Sequence, residues 1–192
     1  MCTAYVDCMS RIIFETASTL NGFIADEANS LDWLFAVAGD EQPPSGPTAT
    51  VHVEGSTTYE WVLEHADLIE QPQKWAEYFG EKPTFVFTTR DLSVPAGADV
   101  RFVGGSVADA LPAIREAAGD GDIWVVGGGD LAAQFLDAGV LDEISISIAP
   151  ATVIAGAPLF PRVLGADRLR LKAAASVGQF AHLVYEVLPE SR

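Results

Sequence analysis

The sequence predicts a single α/β domain of three layers, with helices on both faces of a central mixed, mainly parallel sheet and a C-terminal antiparallel hairpin. Three observations predict this architecture. Strand-like and helix-like segments alternate through the first two thirds of the chain. Residues 123–126 are all apolar, which is typical of a strand covered on both faces. After residue 140 the helical spacing ends, and segments of alternating polarity follow.

The composition is that of one folded domain with an acidic surface. Eleven Lys and Arg against 27 Asp and Glu give a net charge of −16, and 49% of the residues are hydrophobic. We expect residues 11–190 to form the domain and residues 1–10 to be a flexible extension. Because the basic residues form no cluster, we expect neither nucleic acid nor a membrane surface as a partner.

The cysteines and the N-terminal residues favour a cytoplasmic protein. Cys2 and Cys8 have the spacing of neither a disulfide framework nor a metal site. The first ten residues lack the basic start and long apolar run of a signal peptide. No apolar run approaches the roughly 20 residues that cross a bilayer.

In the first half of the chain, β-branched runs predict strands and turn residues mark their ends. Asn21-Gly22 predicts a turn because both residue types tolerate a positive φ. Three prolines between residues 39 and 50 predict a loop. The expected elements are a strand at 12–17, a helical turn within 31–37, a strand at 50–53, a helix at 57–65 capped by Thr57 or Thr58, a helix at 75–79 and a strand at 84–88.

In the second half, the spacing of apolar residues changes from helical to alternating. Ser106 with Asp109 three residues later predicts a helix N-cap, and Gly178-Gln179 predicts a hairpin turn. The expected elements are a strand at 99–103, a helix after Ser106, a strand at 122–126, a helix at 131–138 closed by Gly139, a half-buried strand at 141–149 and paired strands at 169–177 and 180–188.

Gly127, Gly128 and Gly129 stand between a predicted buried strand and a predicted helix. Glycines let a ligand approach the backbone, and the free N–H groups of the helix then point at it, which favours a pyrophosphate site. Gly127, Gly129 and Ala132 also have the G-x-G-x-x-G/A spacing of dinucleotide sites, although a Rossmann domain carries this motif after its first strand. A tight turn without a ligand is the alternative.

Two further strand ends carry groups suited to phosphate. Thr57 and Thr58 follow a strand and a glycine, and their alternative role is an ordinary helix cap. Thr88, Thr89 and Arg90 follow the next strand, and a planar guanidinium suits a phosphate monoester, unless Arg90 is only a solvated loop residue. Neighbouring strand ends would form one rim, where α/β sheets commonly bind ligands.

Sets of residues typical of nucleophilic or metal catalysis are absent from the sequence. His52, His65 and His182 have no metal spacing and no accompanying serine nucleophile motif. Phosphate-binding segments without a nucleophile or a metal favour cofactor chemistry, in which the bound nucleotide reacts.

Six segments, taken in order, resemble the dihydrofolate reductase-like superfamily. The resemblance is strongest to the reductase domain at the C-terminus of the bifunctional riboflavin-biosynthesis deaminase/reductase, and it spans nearly all of residues 11–188. The segments are 17–25 (ASTLNGFIA), 30–34 (SLDWL), 55–60 (GSTTYE), 87–90 (FTTR), 123–132 (IWVVGGGDLA) and 136–161 (LDAGVLDEISISIAPATVIAGAPLFP). Because no deaminase motif is present, the resemblance implies a stand-alone reductase domain.

The resemblance implies an NADPH cleft across the middle of the sheet. It implies a cis peptide between Gly127 and Gly128. It also implies a homodimer that pairs through residues 141–149 and 151–161, and we expect these residues to lie near the sheet edge. The implied cofactor residues are Ala17 and Ile24 at the nicotinamide, Thr57 and Thr58 at the pyrophosphate, Thr88, Thr89, Arg90 and Ser106 at the adenosine ribose and its 2′-phosphate, and Gly127, Gly128, Gly129, Asp130, Leu131 and Ala132 at the diphosphate.

The sequence departs from the family at two places. The usual Ser-Leu-Asp-Gly is Thr19-Leu20-Asn21-Gly22, which removes a carboxylate beside the substrate pocket. The frequent Gly-Arg before the threonines is Gly55-Ser56, which leaves Arg90 as the main 2′-phosphate candidate.

Together these features predict an NADPH-dependent reductase that transfers hydride to a small heterocycle, of the 5-amino-6-(5-phosphoribosylamino)uracil reductase type. Asp32 is the expected catalytic residue, as proton donor or as acceptor for a sugar hydroxyl, and Asn21 and Trp33 are expected to contact the small-molecule substrate. The alternatives are dihydrofolate reductase-like activity, a nucleotide-binding regulatory module without turnover, and a homodimeric scaffold without a ligand.

Overall fold

The computed structural model describes residues 10–39 and 49–190. Almost all of the predicted N-terminal extension and the proline-containing loop lie outside these residues. The strands are β1 (Ile12–Thr19), β2 (Phe23–Asp26), β3 (Ala49–Gly55), β4 (Thr84–Phe87), β5 (Val100–Val103), β6 (Asp122–Gly127), β7 (Glu143–Ala149), β8 (Gly156–Pro158), β9 (Leu169–Val177) and β10 (Phe180–Val187). The α-helices are α1 (Asp32–Phe35), α2 (Ser56–His65), α3 (Trp75–Phe79), α4 (Val107–Ala118) and α5 (Gly129–Asp137).

Eight strands form the central sheet in the order β5-β4-β3-β6-β1-β7-β10-β9. The strands from β5 to β7 pair in parallel, and β10 pairs antiparallel with both β7 and β9. The predicted mixed, mainly parallel sheet and C-terminal hairpin are therefore confirmed. β2 and β8 form a separate two-stranded sheet.

Hydrophobic side chains fill both sides of the central sheet. On one side, α4 and α5 contribute Ile114 and Phe135 to a core with Phe14 of β1. On the other side, α2 and α3 contribute Tyr59 and Trp75. All four aromatic residues are at most 4% exposed. The fold is therefore the predicted three-layer α/β/α arrangement.

The structure changes some boundaries of the predicted elements. α2 begins directly after Gly55, so neither Thr57 nor Thr58 is its N-cap. α5 begins at Gly129 and not at residue 131, because Gly128 has the extended backbone of an N-cap. β2 and β8 were not predicted, since both are short and β8 contains a glycine and a proline.

The capping of α4 confirms the prediction for Ser106. The Ser106 hydroxyl accepts from the Asp109 N–H, and the Asp109 carboxylate accepts from the Ser106 N–H at 3.2 Å. Strand 141–149 is not at the sheet edge, because β10 covers the free side of β7 and leaves β9 at the edge. No helix in the described ranges is long and apolar enough to span a membrane.

Candidate functional site

Two helices begin side by side at one end of the central sheet. β3 and β6 are neighbouring parallel strands, with Glu54 opposite Gly127. β3 runs into α2 through Gly55, and β6 runs into α5 through Gly128. The first N–H groups of a helix have no partner within the helix and carry a partial positive charge. The N-termini of α2 and α5 therefore lie together at the end of the parallel strands, where α/β sheets commonly bind ligands.

A cavity of about 590 Å³ opens at these two helix ends. Hydrophobic side chains and backbone provide most of its wall, and Asp130 is the one acidic side chain among the described residues that line it. The lining residues are Thr16, Ile24, Ala25, Asn29, Leu31, Thr57, Thr58, Trp61, Val62, Val126, Gly127, Gly128, Gly129, Asp130, Ala157, Pro158 and Pro161.

The three glycines differ in the space around them. A Cβ at Gly127 would lie 2.9 Å from the Thr58 Oγ1, so the hydroxyl lies directly against this backbone. A Cβ at Gly129 would lie 2.4 Å from the Leu159 carbonyl oxygen. Gly128 has nothing within 4 Å of such a position. Gly127 and Gly129 therefore allow close packing, whereas Gly128 leaves bare backbone beside the cavity.

The predicted cis peptide between Gly127 and Gly128 is wrong. The described residues contain no cis peptide bond. With a trans bond, Gly128 has φ −63° and ψ 162°, the ordinary extended conformation of a helix N-cap. The strand therefore passes into α5 without an unusual peptide.

The structure brings most of the predicted diphosphate residues together. Thr57, Thr58 and the segment 127–130 all line the cavity, and so does Ile24, which was predicted at the nicotinamide. Leu131 and Ala132 instead pack their side chains into the core. The Ala132 N–H donates to the Gly128 carbonyl at 3.1 Å, which leaves the earlier amides of α5 nearest the cavity.

The predicted nicotinamide residue Ala17 lies next to the cavity but does not line it. Thr16 lines the cavity, and successive side chains of a strand point to opposite faces. Ala17 is half-buried and pairs with Ser147 of β7.

The predicted adenosine residues lie outside the cavity, after β4 and β5. The Thr88 hydroxyl accepts from the Arg90 N–H at 2.9 Å. The Arg90 guanidinium donates to both carboxylate oxygens of Glu60, at 2.9 and 2.5 Å. Hydrogen bonds from the Ser106 hydroxyl and, with a smaller effect, from the Ser106 N–H lower the pKa of the Asp109 carboxyl. Arg90 and Ser106, two of these four residues, therefore already contact a carboxylate.

The three predicted substrate residues are not among those that line the cavity. The Asn21 amide donates to the Val153 carbonyl at 2.7 Å, so it ties the turn after β1 to the segment before β8. Asp32 is exposed at the start of α1, where its N–H donates to the Ser30 hydroxyl. Trp33 is half-buried. Asn29 and Leu31, just before Asp32, do line the cavity.

An aromatic stack at the cavity was missed by the sequence reasoning. Trp61 lines the cavity, and its ring lies 4.4 Å from that of His65 at an angle of 14°. Phe35 of α1 lies 4.9 Å from His65 at 12°. Trp61 and His65 are four residues apart and so share a helix face, a signal that was available in the sequence.

Glu54 is a second residue that the sequence reasoning missed. It is fully buried, and neither carboxylate oxygen has a hydrogen-bond partner within the described part of the chain. Burial raises its pKa to about 8, and burial followed by the charge of Glu54 raises the pKa of Tyr59. His52, two residues earlier on the same strand, has its pKa lowered to about 4 by burial and then by Lys82. β3 therefore holds two buried groups that are neutral near pH 7.

One protein-family model matches the chain. It is described as the RibD C-terminal domain, and it covers residues 78–183, more than half of the chain. The match includes β4 to β9, the triple glycine and α5.

Solved structures of other proteins share the fold. A Shewanella sp. PV-4 protein named for riboflavin biosynthesis is 24% identical, with a TM-score of 0.72 over 92% of this chain and 98% of its own. The Thermotoga maritima deaminase/5-amino-6-(5-phosphoribosylamino)uracil reductase is 14% identical, with a TM-score of 0.63 over 93% of this chain and 57% of its own. Enterococcus faecalis dihydrofolate reductase, solved with NADP(H), is 15% identical, with a TM-score of 0.58 over 93% and 97%. The dihydrofolate reductase-like fold is confirmed.

Proposed function

Because the chain belongs to the RibD C-terminal domain family, we propose that it is an NADPH-dependent reductase that transfers hydride to a small heterocycle. The reaction of 5-amino-6-(5-phosphoribosylamino)uracil reductase is the model for this activity. The observation that carries the proposal is that two helix N-termini, those of α2 and α5, open onto one cavity. Cytoplasmic location and a homodimer remain part of the proposal.

The residues at the two helix ends fit a dinucleotide diphosphate. Free backbone N–H groups and the helix dipoles favour a bound anion. The Thr57 and Thr58 hydroxyls can donate to phosphate oxygens, and the bare backbone of Gly128 admits them closely. Asp130 is the opposing charge, and Arg162 offsets it through a contact of 3.3 Å between Nη1 and Oδ1.

The apolar part of the cavity fits a nicotinamide ring and an acceptor. When bound, a reduced nicotinamide supplies a hydride to carbon of a C=N or C=O group, whose heteroatom gains a proton. Ile24, Ala25 and Pro158 provide walls that exclude water from this transfer. We keep Asp32 as the proposed proton donor, since it follows Leu31 at the cavity.

Binding without turnover is the second candidate function. It is favoured by one observation: among the described residues that line the cavity, Asp130 is the only one whose side chain is ordinarily an acid or a base. A proton donor must then come from the rim or from solvent.

Isothermal titration with NADPH and NADH tests the proposal, and Gly128→Val is the decisive variant. The new Cβ would have no described atom within 4 Å beyond its chain neighbours, and φ −63° suits valine, so we expect a folded protein. Its methyl groups would occupy the diphosphate position and weaken NADPH binding at least about tenfold. Ala175→Val, at an exposed position on β9, is the matched control.

The titration separates the two candidates when it is followed by NADPH oxidation at 340 nm with a panel of heterocycles. Binding with turnover supports the reductase, and binding without turnover supports the regulatory module. Failure of the unmodified protein to bind either nucleotide, or equal binding by Gly128→Val, would contradict the proposed site.

A further inference from the structure

We propose that the acceptor is a planar, unphosphorylated heteroaromatic ring that stacks on the indole of Trp61. This inference rests on the proposed reductase function and names its substrate class. It departs from the phosphoribosyl substrate of the model reaction.

The position of Trp61 supplies a preformed flat wall. Trp61 lines the cavity together with Leu31 and Val62. His65 stacks against it at 4.4 Å, and Phe35 lies nearly parallel to it, with ring centroids 6.2 Å apart and 8° between the planes. Because rings from two helices support the indole, its orientation is set before a ligand arrives. Offset-stacked aromatic rings stabilise each other beyond what the burial of their area contributes.

The charges around the cavity disfavour a second phosphate. No Lys or Arg of the described ranges lines the cavity, and the rest of the chain contains one basic residue, Arg192. Arg162 follows the lining residue Pro161 in the chain. Its guanidinium contacts the carboxylates of both Asp130 and Asp137, so its charge is already paired. Arg90 contacts Glu60.

The two helix N-termini do not offer a phosphate-binding site to the acceptor either. In the proposed function, α2 and α5 bind the diphosphate of the cofactor. α1 has only four residues and no side-chain cap, so it offers no third anion site. An acceptor carrying a phosphate would place it against a mainly apolar wall, whose remaining polar side chains are Thr16, Asn29 and the acidic Asp130. Desolvation of a dianion is unfavourable there without a cation.

Riboflavin and flavin mononucleotide are suitable probes, because they share one planar ring system and differ by a phosphate. Stacking on an indole quenches flavin fluorescence, so binding is measured without turnover. We expect riboflavin to bind at least about tenfold more tightly than flavin mononucleotide. Trp61→Ala should weaken riboflavin binding about tenfold, the effect typical of losing one ring-on-ring stack, and Trp61→Phe should retain most of it.

The control variant is Tyr78→Ala, which removes an exposed aromatic ring of α3 and should leave riboflavin binding unchanged. Thermal unfolding of each variant verifies that it is folded. Equal or tighter binding of flavin mononucleotide, full binding by Trp61→Ala, or no binding of either flavin would overturn the inference. If NADPH still binds in that case and is oxidised with another heterocycle of the panel, the proposed reductase function stands. Loss of NADPH binding itself would instead contradict the proposed function.

Discussion

Replacement of Glu54 by glutamine should change how the stability of the protein depends on pH. The Glu54 carboxyl is fully buried without a hydrogen-bond partner among the described residues, and its pKa is raised from 4.5 to about 8. The native state therefore holds a proton that the unfolded chain releases above pH 4.5. For such a group, the free energy of unfolding falls as the pH rises, by about 1.4 kcal/mol per pH unit, until the native pKa is reached.

His52 has the opposite effect over a lower pH range. Its pKa is lowered from 6.5 to about 4, so the unfolded chain binds the proton first and stability rises with pH through this interval. Between pH 4.5 and 6.5 the two slopes oppose each other. Above pH 6.5 His52 is mostly neutral in both states, so the Glu54 slope dominates and gives a loss of at most about 2 kcal/mol by pH 8.

Urea unfolding followed by tryptophan fluorescence at pH 6.5 and pH 8 measures this difference. At the usual dependence on denaturant, about 2 kcal/mol lowers the midpoint by roughly 1 M. Glu54→Gln keeps the shape of the side chain without the titration, so its midpoint should be the same at both pH values. Glu64→Gln, an exposed change on α2, should retain the fall. A flat profile for the unmodified protein, or an unchanged fall in Glu54→Gln, would refute the reasoning.

Three further changes test other parts of the account. Glu60→Gln removes the carboxylate that pairs with Arg90 and should raise the affinity for NADPH relative to NADH. The rise should reach at most about fivefold, since an exposed ion pair contributes at most about 1 kcal/mol. An unchanged affinity ratio in paired titrations would refute the role of Arg90 at the 2′-phosphate. Ser106→Ala removes the α4 cap and should lower the free energy of unfolding by about 1 kcal/mol in urea, while no change would show that the cap is dispensable. Gly129→Ala places a methyl group 2.4 Å from the Leu159 carbonyl oxygen and should cost about 1–3 kcal/mol of stability; an unaltered thermal midpoint would contradict the close packing.

The fold was largely predictable because its elements carry local signals. The apolar run of β6, the alternation of β9 and β10 and the capping pair at Ser106 each identify an element without knowledge of its neighbours. β2 and β8 carry no such signal. They pair because Gly156 allows the backbone of β8 to approach that of Ala25, a long-range contact that propensity does not encode.

The site was predictable where backbone forms it and less so where side chains do. The triple glycine and the threonines of α2 line the cavity as expected. The side-chain partners of Asn21 and Arg90 come from residues 132 and 30 positions away, so their local sequence gives no sign of them. Burial of Glu54 likewise depends on the helices packed over β3, and only the folded chain shows it.

The central claim is that the helix ends of α2 and α5 together bind the diphosphate of a nicotinamide dinucleotide. A crystal structure of the protein with NADP⁺ tests it most directly. The account predicts the diphosphate within hydrogen-bond distance of the first backbone amides of α5 and of the Thr58 hydroxyl. A diphosphate bound elsewhere on the protein, with Gly128 left in contact with solvent, would contradict it.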